Sequence, residues 1–343
     1  MSHDSTDSAE LLPKNDHNFS FLLQKRNTCG IIFPAIFTTV VRLNFIVISP
    51  ITLRKSEESI LEIWIIFIIL YGILKGSREP IKKNLLKNVN VLTSLFAYTF
   101  IGFLMSVPTA SGVFDVPLST FGWILVKSGS IFFAWILSFT VLKKIPVSIY
   151  GITDMSRVIF STLMGVIFLH ESLTPKGIVS LFLVVMGLYL ANRKTSGSKE
   201  PYSMRLIWLL FLSCFLNAIS GTLDKYIMST GTITSSSLQF WFMLTLSMMY
   251  LAYILIRREK LELKKAVTNP WIYVLSFSLV LGDRLLFIAN SDPASQVTVM
   301  TLIKQSSAVV TIILGKVLYH EEHMVKKLIC AGIILAGIGL AVV

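Results

Sequence analysis

Hydrophobic residues occur along the chain in long blocks of about 20 residues, and short polar connections separate the blocks. A helix needs about 20 apolar residues to cross ~30 Å of hydrocarbon. The pattern predicts membrane-spanning helices over residues 30–50, 60–77, 91–112, 121–142, 147–169, 175–192, 206–228, 236–256, 271–290, 296–319 and 325–343. The chain is therefore expected to be an all-α polytopic membrane protein.

Two parts of the chain resemble each other at an offset of about 150 residues. The short matches are His170-Glu171 with His320-Glu321, the run from Gly187 with that from Gly337, Gly165 with Gly315, and Gly72 with Gly221. Each copy holds five spans, an odd number, so the second copy enters the membrane with the opposite orientation. Inverted repeats are typical of secondary transporters, whose binding site lies near the midplane. Chance similarity among Leu-rich helices is the alternative.

The polar stretch 193–203, rich in Lys, Ser and Gly, lies between the two sets of five spans. It predicts a ten-helix core of two inverted five-helix repeats. The span at 30–50 has no counterpart in the second set, and an interfacial or re-entrant segment is the alternative for it. The predicted units are a disordered tail (1–28), an extra N-terminal span and linker (29–57), the first repeat (58–196) and the second repeat (203–343).

The composition, 54% hydrophobic and 15% charged, excludes an ordinary soluble domain, in which about 25% of residues are charged. The net charge of +12 does not indicate a nucleic-acid partner, because the basic residues lie in the connections between apolar blocks. Counted from the span at 60–77, the odd connections carry nearly all of them and the even ones carry only Lys176. The positive-inside rule then places the odd connections in the cytoplasm. An extra leading span would return the N-terminal tail to the same side.

No motif predicts a cofactor or an enzymatic reaction. The chain has no GxxxxGK[ST] loop for ATP, and its three cysteines have no CxxC spacing for a disulfide framework or zinc. His320 and His323 are three residues apart in a short connection, unlike HExxH, and are expected to form an interfacial turn. We therefore expect no metal, no cofactor and no enzyme.

Several residues resemble a known family. Those of the first copy are Pro146, Gly165, Leu169-His-Glu171 and Gly187, and those of the second are Pro293, Gly315, Tyr319-His-Glu321 and Gly337. The pattern resembles the EamA domain, which occurs in tandem in the drug/metabolite transporter superfamily, and it covers roughly residues 58–343. The resemblance implies a central cavity between the repeats, inward- and outward-open states, and a substrate or proton gradient as the driving force. The unpaired N-terminal span and the reversed charge bias depart from the usual family arrangement.

Ionisable residues inside the predicted spans are the candidate site, because a charge at the centre of a membrane helix costs about 2.5–3.5 kcal/mol on insertion scales. They are Asp154, Arg157, Asp283, Arg284 and Lys304. The repeat maps Asp154 onto Lys304, and both lie ~10 Å beyond their helix starts. We expect an acid and a base that face one cavity and form a salt bridge, which substrate or a proton replaces. A permanent packing pair is the alternative.

Other polar and aromatic residues extend the candidate site. Gln305 follows Lys304 and could add hydrogen bonds, and Trp135 and Trp241 could form walls of an organic-substrate cavity or pack in the bundle. Lys127 and the Asp224-Lys225 pair lie nearer span ends and are expected to reach the interface. The five charged candidates carry one positive charge in excess, which favours an anionic or carboxylate-bearing substrate.

The expected function is a secondary transporter, an exporter by alternating access, of a small organic metabolite such as an amino acid or a related charged or zwitterionic compound. Its expected partners are that substrate, protons as a candidate coupling ion, and the lipid bilayer, with the chain acting as monomer or homodimer. A bacterial inner membrane is the expected location. The alternatives are a lipid-linked flippase, a scaffold without transport, and a nucleotide-sugar carrier.

Overall fold

The computed structural model describes residues 60–169, 175–192, 203–291, 304–305 and 307–342. This part of the chain is helical throughout and contains no strand. The helices are α1 (Ile60–Leu85), α2 (Val91–Ser106), α3 (Leu118–Leu142), α4 (Val147–Asp154), α5 (Arg157–Leu169), α6 (Pro175–Asn192), α7 (Met204–Ser229), α8 (Ser235–Arg257), α9 (Leu263–Val267), α10 (Pro270–Ser291), α11 (Ser307–Tyr319) and α12 (Met324–Val342). A single 3₁₀ turn, Val107–Thr109, follows α2.

The helices have the length and surface of a membrane bundle. Five of them, among the described residues, are long and apolar enough to cross a membrane: Val91–Thr109, Leu118–Leu142, Met204–Ser229, Ser235–Arg257 and Pro270–Asn290. Large apolar side chains also point outward, including Phe182, Trp208 and Val325, each about two-thirds exposed. A soluble protein rarely exposes so much contiguous apolar surface. The predicted all-α polytopic membrane fold is confirmed.

The predicted tail, 1–28, and the extra N-terminal unit, 29–57, lie outside the described residues, so both stay predictions. Where the structure describes the other predicted spans, they coincide with helices, with two differences; the start of the span at 296–319 lies outside the described residues. Helix α1 continues to Leu85, well beyond the predicted end at residue 77, and includes Pro80. The predicted span 147–169 is two helices, α4 and α5.

The break between α4 and α5 falls at Met155 and Ser156. The amide groups of both residues, and of Val158 and Ile159 after them, donate to carbonyls three residues back, at 3.0–3.1 Å. Three-residue spacing is the 3₁₀ pattern, which inside a longer helix often marks a hinge or functional site. Asp154, the last residue of α4, and Arg157, the first of α5, lie on either side of this break.

The packing of the helices follows a two-fold pattern between the predicted repeats. The first helix of each repeat packs on the third of the other, α1 on α10 and α7 on α3, and on the fourth, α1 on α11 and α7 on α5. The matched pairs α2 with α8, α4 with α11, and α6 with α12 pack on each other. Two related units facing each other produce this pattern. The exact boundaries 58–196 and 203–343 stay a prediction.

Two glycines of the repeat allow α6 and α12 to approach closely. A Cβ atom on Gly187 would lie 2.5 Å from Ile334 Cγ1, and one on Gly337 would lie 2.8 Å from Leu183 Cβ. Both distances are shorter than side chains tolerate, so the glycines are required by contact inside one chain.

The connections between helices gather at two ends of the bundle. At one end, the segments after α1 and after α8 meet, because Asn90 Nδ2 donates to Lys260 O at 2.9 Å and the Asn90 amide donates to Glu262. A hydrogen bond from Lys265 lowers the pKa of Glu262 there. Lys83 Nζ also donates to Ile145 O at this end. We call it the basic end, because the connections that meet there hold Lys87, Lys143, Lys144, Arg257, Arg258, Lys260, Lys264 and Lys265.

At the opposite end, Thr234 Oγ1 donates to Ser111 O at 3.1 Å and Trp241 Nε1 donates to Val113 O at 2.7 Å. The segments 107–117 and 230–234 that meet there contain one charged residue, Asp115. The bundle therefore separates basic from nearly uncharged connections, as the positive-inside rule requires of a membrane protein.

This separation predicts the orientation in the membrane. In a background without native cysteines, Asp115→Cys should react with a membrane-impermeant thiol reagent applied to intact cells, because the uncharged end should face outward. Lys87→Cys, at the basic end, should react only after permeabilisation. The reverse pattern would contradict the predicted cytoplasmic location of the basic connections.

Candidate functional site

Four charged residues of α1 lie inside the bundle: Lys75, Arg78, Glu79 and Lys82 are each less than 10% exposed. The count of basic residues in the odd connections included Lys75, Arg78 and Lys82, and so assigned them to the cytoplasmic connection after the span at 60–77. That assignment is wrong. Their spacing held a signal for the burial, since residues at positions i, i+3, i+4 and i+7 share one face of a continuing helix. Charges in a flexible connection need no such period.

Asp154 is the centre of a buried ionic triad. Its carboxylate lies 3.0 Å from Lys75 Nζ and 2.6 Å from an Arg157 guanidinium nitrogen. The three groups come from α1, the end of α4 and the start of α5. The triad therefore joins α1 to both sides of the helix break. Two cations against one carboxylate leave it with one positive charge.

The predicted salt bridge between Asp154 and Lys304 is not found, because Lys75 and Arg157 occupy the Asp154 carboxylate. Gln305 is buried, and Lys304 is partly buried. Lys304 interacts electrostatically with Asp224. The repeat relation between positions 154 and 304 therefore does not correspond to direct contact.

Lys127 and Asp224 form a second buried pair, with Lys127 Nζ 2.9 Å from the Asp224 carboxylate. Lys127 is 2% exposed, and its ammonium group lies 3.5 Å from the centre of the Phe242 ring. The expectation that these two side chains reach the interface is wrong. Lys225 is partly buried and donates to Asn290 O at 3.4 Å.

The adjacent residues Asp283 and Arg284 of α10 have separate partners. Asp283 lies 3.8 Å from Arg78 of α1. The Arg284 guanidinium donates to Gln239 Oε1 at 2.8 Å and to Thr109 Oγ1 at 3.0 Å. The two ion pairs that join α1 to other helices in the described structure, at Lys75 and Arg78, thus both lie in the buried stretch that begins at Lys75.

The two tryptophans proposed as cavity walls lie elsewhere. Trp135 packs against Tyr98, with ring centres 5.5 Å apart, in the main hydrophobic core. Trp241 packs against Phe121 and is hydrogen-bonded to the segment at the uncharged end. Neither side chain borders the cleft described in the next paragraph. Both tryptophans therefore pack against other side chains in the bundle.

A small cleft lies between α1, α4 and α11, where the two predicted repeats meet. Its lining is polar on most sides: Lys75, Glu79, Tyr150, Gly151, Asp154, Ser307, Ala308 and Thr311. The triad therefore opens directly onto a cleft. Gly151 lets α4 and α11 approach closely, since a Cβ atom there would lie 2.8 Å from Thr311 Cγ2.

Glu321 fixes the beginning of α4 from the opposite repeat. Its carboxylate accepts from the amide of Val147 at 2.6 Å, from the amide of Ser148 at 3.1 Å and from the Ser148 hydroxyl, and Lys327 Nζ lies 3.4 Å away. The residue before α4 is Pro146, which cannot cap the helix with a side chain. The predicted interfacial turn at 320–323 therefore also anchors α4.

The charged positions of the two repeats are related with their signs exchanged. The match of Gly72 with Gly221 places Lys75 opposite Asp224, and the main offset places Asp154 opposite Lys304. In the first repeat the base, Lys75, is on the first helix and the acid, Asp154, is on the fourth. In the second repeat the acid comes first and the base, Lys304, comes later. Lys75 and Asp154 form an ion pair at 3.0 Å, whereas Asp224 pairs with Lys127.

Comparison with known proteins agrees with this architecture. Residues 62–193 match the EamA-like transporter family, a range that falls within the predicted first repeat. No curated protein matches the chain. Several solved structures are similar, among them a crystal structure that is 13% identical, covers 80% of this chain and 94% of its own, and superposes with a TM-score of 0.54. At that identity the similarity concerns the fold alone. Residues 62–193 therefore carry the match to the EamA-like transporter family, in a chain whose described helices form a multi-pass membrane bundle.

Proposed function

We propose that the protein is a secondary transporter that moves a small carboxylate-bearing or zwitterionic metabolite by alternating access. The observation that carries the proposal is the Lys75–Asp154–Arg157 triad beside a polar cleft at the repeat junction. Ionisable groups in a membrane bundle are expensive to bury and commonly mark a substrate or ion path. In the proposed cycle, the substrate carboxylate binds Lys75 in place of Asp154.

The balance of buried charge supports an anionic group on the substrate. Among the described residues, six basic side chains are buried against four acidic ones: Lys75, Arg78, Lys82, Lys127, Arg284 and Lys327 against Glu79, Asp154, Asp224 and Glu321. An excess of positive charge in a low-dielectric interior attracts anions strongly. A substrate carboxylate would reduce this excess.

The sign-exchanged pairs support two alternating states. Lys75 and Asp154 are closed together here, while Asp224 pairs with Lys127 and senses the charge of Lys304. In the proposed opposite state, Asp224 pairs with Lys304, and Lys75 separates from Asp154. Exchange of partners keeps each carboxylate neutralised during the change, which limits the cost of moving charges in hydrocarbon.

The cleft is tight in the state described, so a cargo the size of an amino acid would need α1, α4 and α11 to separate before it enters. The resemblance to the EamA family favours export as the direction of transport. Protons are the coupling ion to be tested first.

A screen of the purified protein tests the proposal. Small metabolites with a carboxylate should raise its thermal unfolding temperature, and the same compounds should cross reconstituted vesicles. Asp154→Asn should lower transport at least tenfold, because Lys75 and Arg157 lose their shared anion and hold the substrate carboxylate too tightly to release it. Asp115→Asn, the same change at an exposed position, is the matched control and should not alter transport.

The outcomes separate the alternatives. Transport by Asp154→Asn at the rate of the unchanged protein would exclude the triad from the mechanism and leave it as a packing contact. If no compound stabilises the protein and none is transported, a scaffold role replaces the transporter proposal.

A further inference from the structure

The two carboxylate oxygens of Glu79, a residue that lines the cleft, differ in their hydrogen-bond partners. Oε1 accepts from Lys82 Nζ at 2.8 Å. Oε2 is buried and has no hydrogen-bond partner among the described residues. The side chain is 7% exposed, and Glu79 is one of the residues that line the cleft. A charged acceptor on a residue of the cleft lining is thus buried without a donor among the described residues.

An unsatisfied acceptor in this position requires an explanation. A buried polar atom without a partner costs about 1–3 kcal/mol, and more when it is charged. Native structures keep few such atoms, and each is a candidate for a ligand or a water. Because the other oxygen already has the Lys82 ammonium group, the open oxygen is available to an additional donor without breaking an existing contact.

Resting on the proposed function, we propose that Glu79 Oε2 binds the protonated amine of the transported molecule, which makes the preferred cargo a zwitterion. Lys75 and Glu79 are four residues apart on α1, so they lie on one face with a rise of ~6 Å between them. Lys75 receives the carboxylate of the cargo and Glu79 receives its amine. Glu79 thereby selects amino compounds against plain carboxylates.

The arrangement of the cleft walls agrees with this orientation. Ser307 and Thr311 of α11 lie on the opposite wall. Thr311 Oγ1 is occupied, because it donates to Gly76 O at 3.0 Å or to Ser307 O at 3.1 Å. Within the described lining, Glu79 and Asp154 are the acidic groups, and Asp154 is already held by two cations. Glu79 is therefore the anion with free capacity for an incoming amine.

Glu79→Gln is the test variant. A glutamine keeps an oxygen for Lys82 and turns an N–H₂ donor toward the cleft in place of the acceptor. The probes are zwitterionic amino acids, each paired with the carboxylic acid of the same carbon skeleton that lacks the amine. Affinity for the amino acids should fall about tenfold to a hundredfold, the range expected for a lost hydrogen bond to a charged group. Affinity for the des-amino acids should stay within twofold.

Each result decides the proposal. Equal losses for both members of a pair, or no loss for either, would overturn the amine site while leaving the transporter proposal intact. Unchanged amine affinity with loss of pH-dependent transport would also overturn it and identify Glu79 as a proton site. Absence of binding and transport for every probe in the unchanged protein would overturn the transporter proposal and this one with it. Unfolding temperatures without ligand show whether the variant is folded.

Discussion

Replacing Lys127 with Met is expected to lower the free energy of unfolding by about 3–5 kcal/mol, the cost of breaking a buried ion pair by removing one partner. The Asp224 carboxylate would remain buried without the ammonium group that lies 2.9 Å away. The surroundings offer little compensation, because the rings of Phe242 and Phe287 lie around the ammonium position. Denaturant unfolding in mixed micelles measures the change.

Two variants complete this test. Lys265→Met removes a similar ion pair, with Glu262, at the surface of the basic end, where Lys265 is 63% exposed. It should cost less than about 1 kcal/mol. The double variant Lys127→Met with Asp224→Leu should recover most of the loss, because no charge is left unpaired. A small effect of Lys127→Met alone would show that another cation, such as Lys304, already neutralises Asp224.

Replacing Glu321 with Ala is expected to lower the free energy of unfolding by about 2–3 kcal/mol, because buried amides at the start of α4 lose their acceptor. The amides of Val147 and Ser148 both donate to this carboxylate, and Lys327 is its cation. Negative charge at a helix N-terminus also interacts favourably with the helix dipole. Since α4 carries Asp154, transport should fall together with stability.

The neighbouring residue provides the control for this prediction. Glu322 is 78% exposed in its side chain, and His323, at 3.9 Å, is the ion partner identified for it in the described structure. Glu322→Ala should leave both stability and transport unchanged. Glu321→Gln should have an intermediate effect, because an amide oxygen still accepts but the charge is lost. Equal stability of the Glu321→Ala and Glu322→Ala variants would show that the cap contributes nothing to α4.

The sequence predicted the helices well because apolar length is a local property. Each block of apolar residues predicts one membrane span. Counting the spans then predicts which basic connections lie on the same side of the membrane. The ion pairs could not be predicted in this way. Lys75 and Asp154 belong to different helices, far apart in the sequence, and their contact depends on how α1 packs on α4. Partner choice is a property of the packed bundle.

The predicted contact between Asp154 and Lys304 illustrates a second limit. Repeat symmetry relates two positions by rotation, and related positions meet only when both lie close to the rotation axis. Asp154 instead pairs within its own repeat, with Lys75 and Arg157. The helix break falls at Met155 and Ser156, where neither residue is a proline or a glycine. The sequence therefore gives no local signal for the break. Helix breaks without these residues depend on tertiary contacts that a single sequence does not reveal.

Helix α4 is only eight residues long, and both of its ends are fixed. Glu321 holds its first turn near the basic end, and the triad holds its last residue, Asp154, ~10 Å deeper at 1.5 Å per residue. A short helix held at both ends transmits displacement as a rigid rod. A shift of the 320–323 connection at the basic end, as when another protein or a lipid headgroup presses on it, would therefore reach the buried carboxylate mechanically, without any movement of charge along the way.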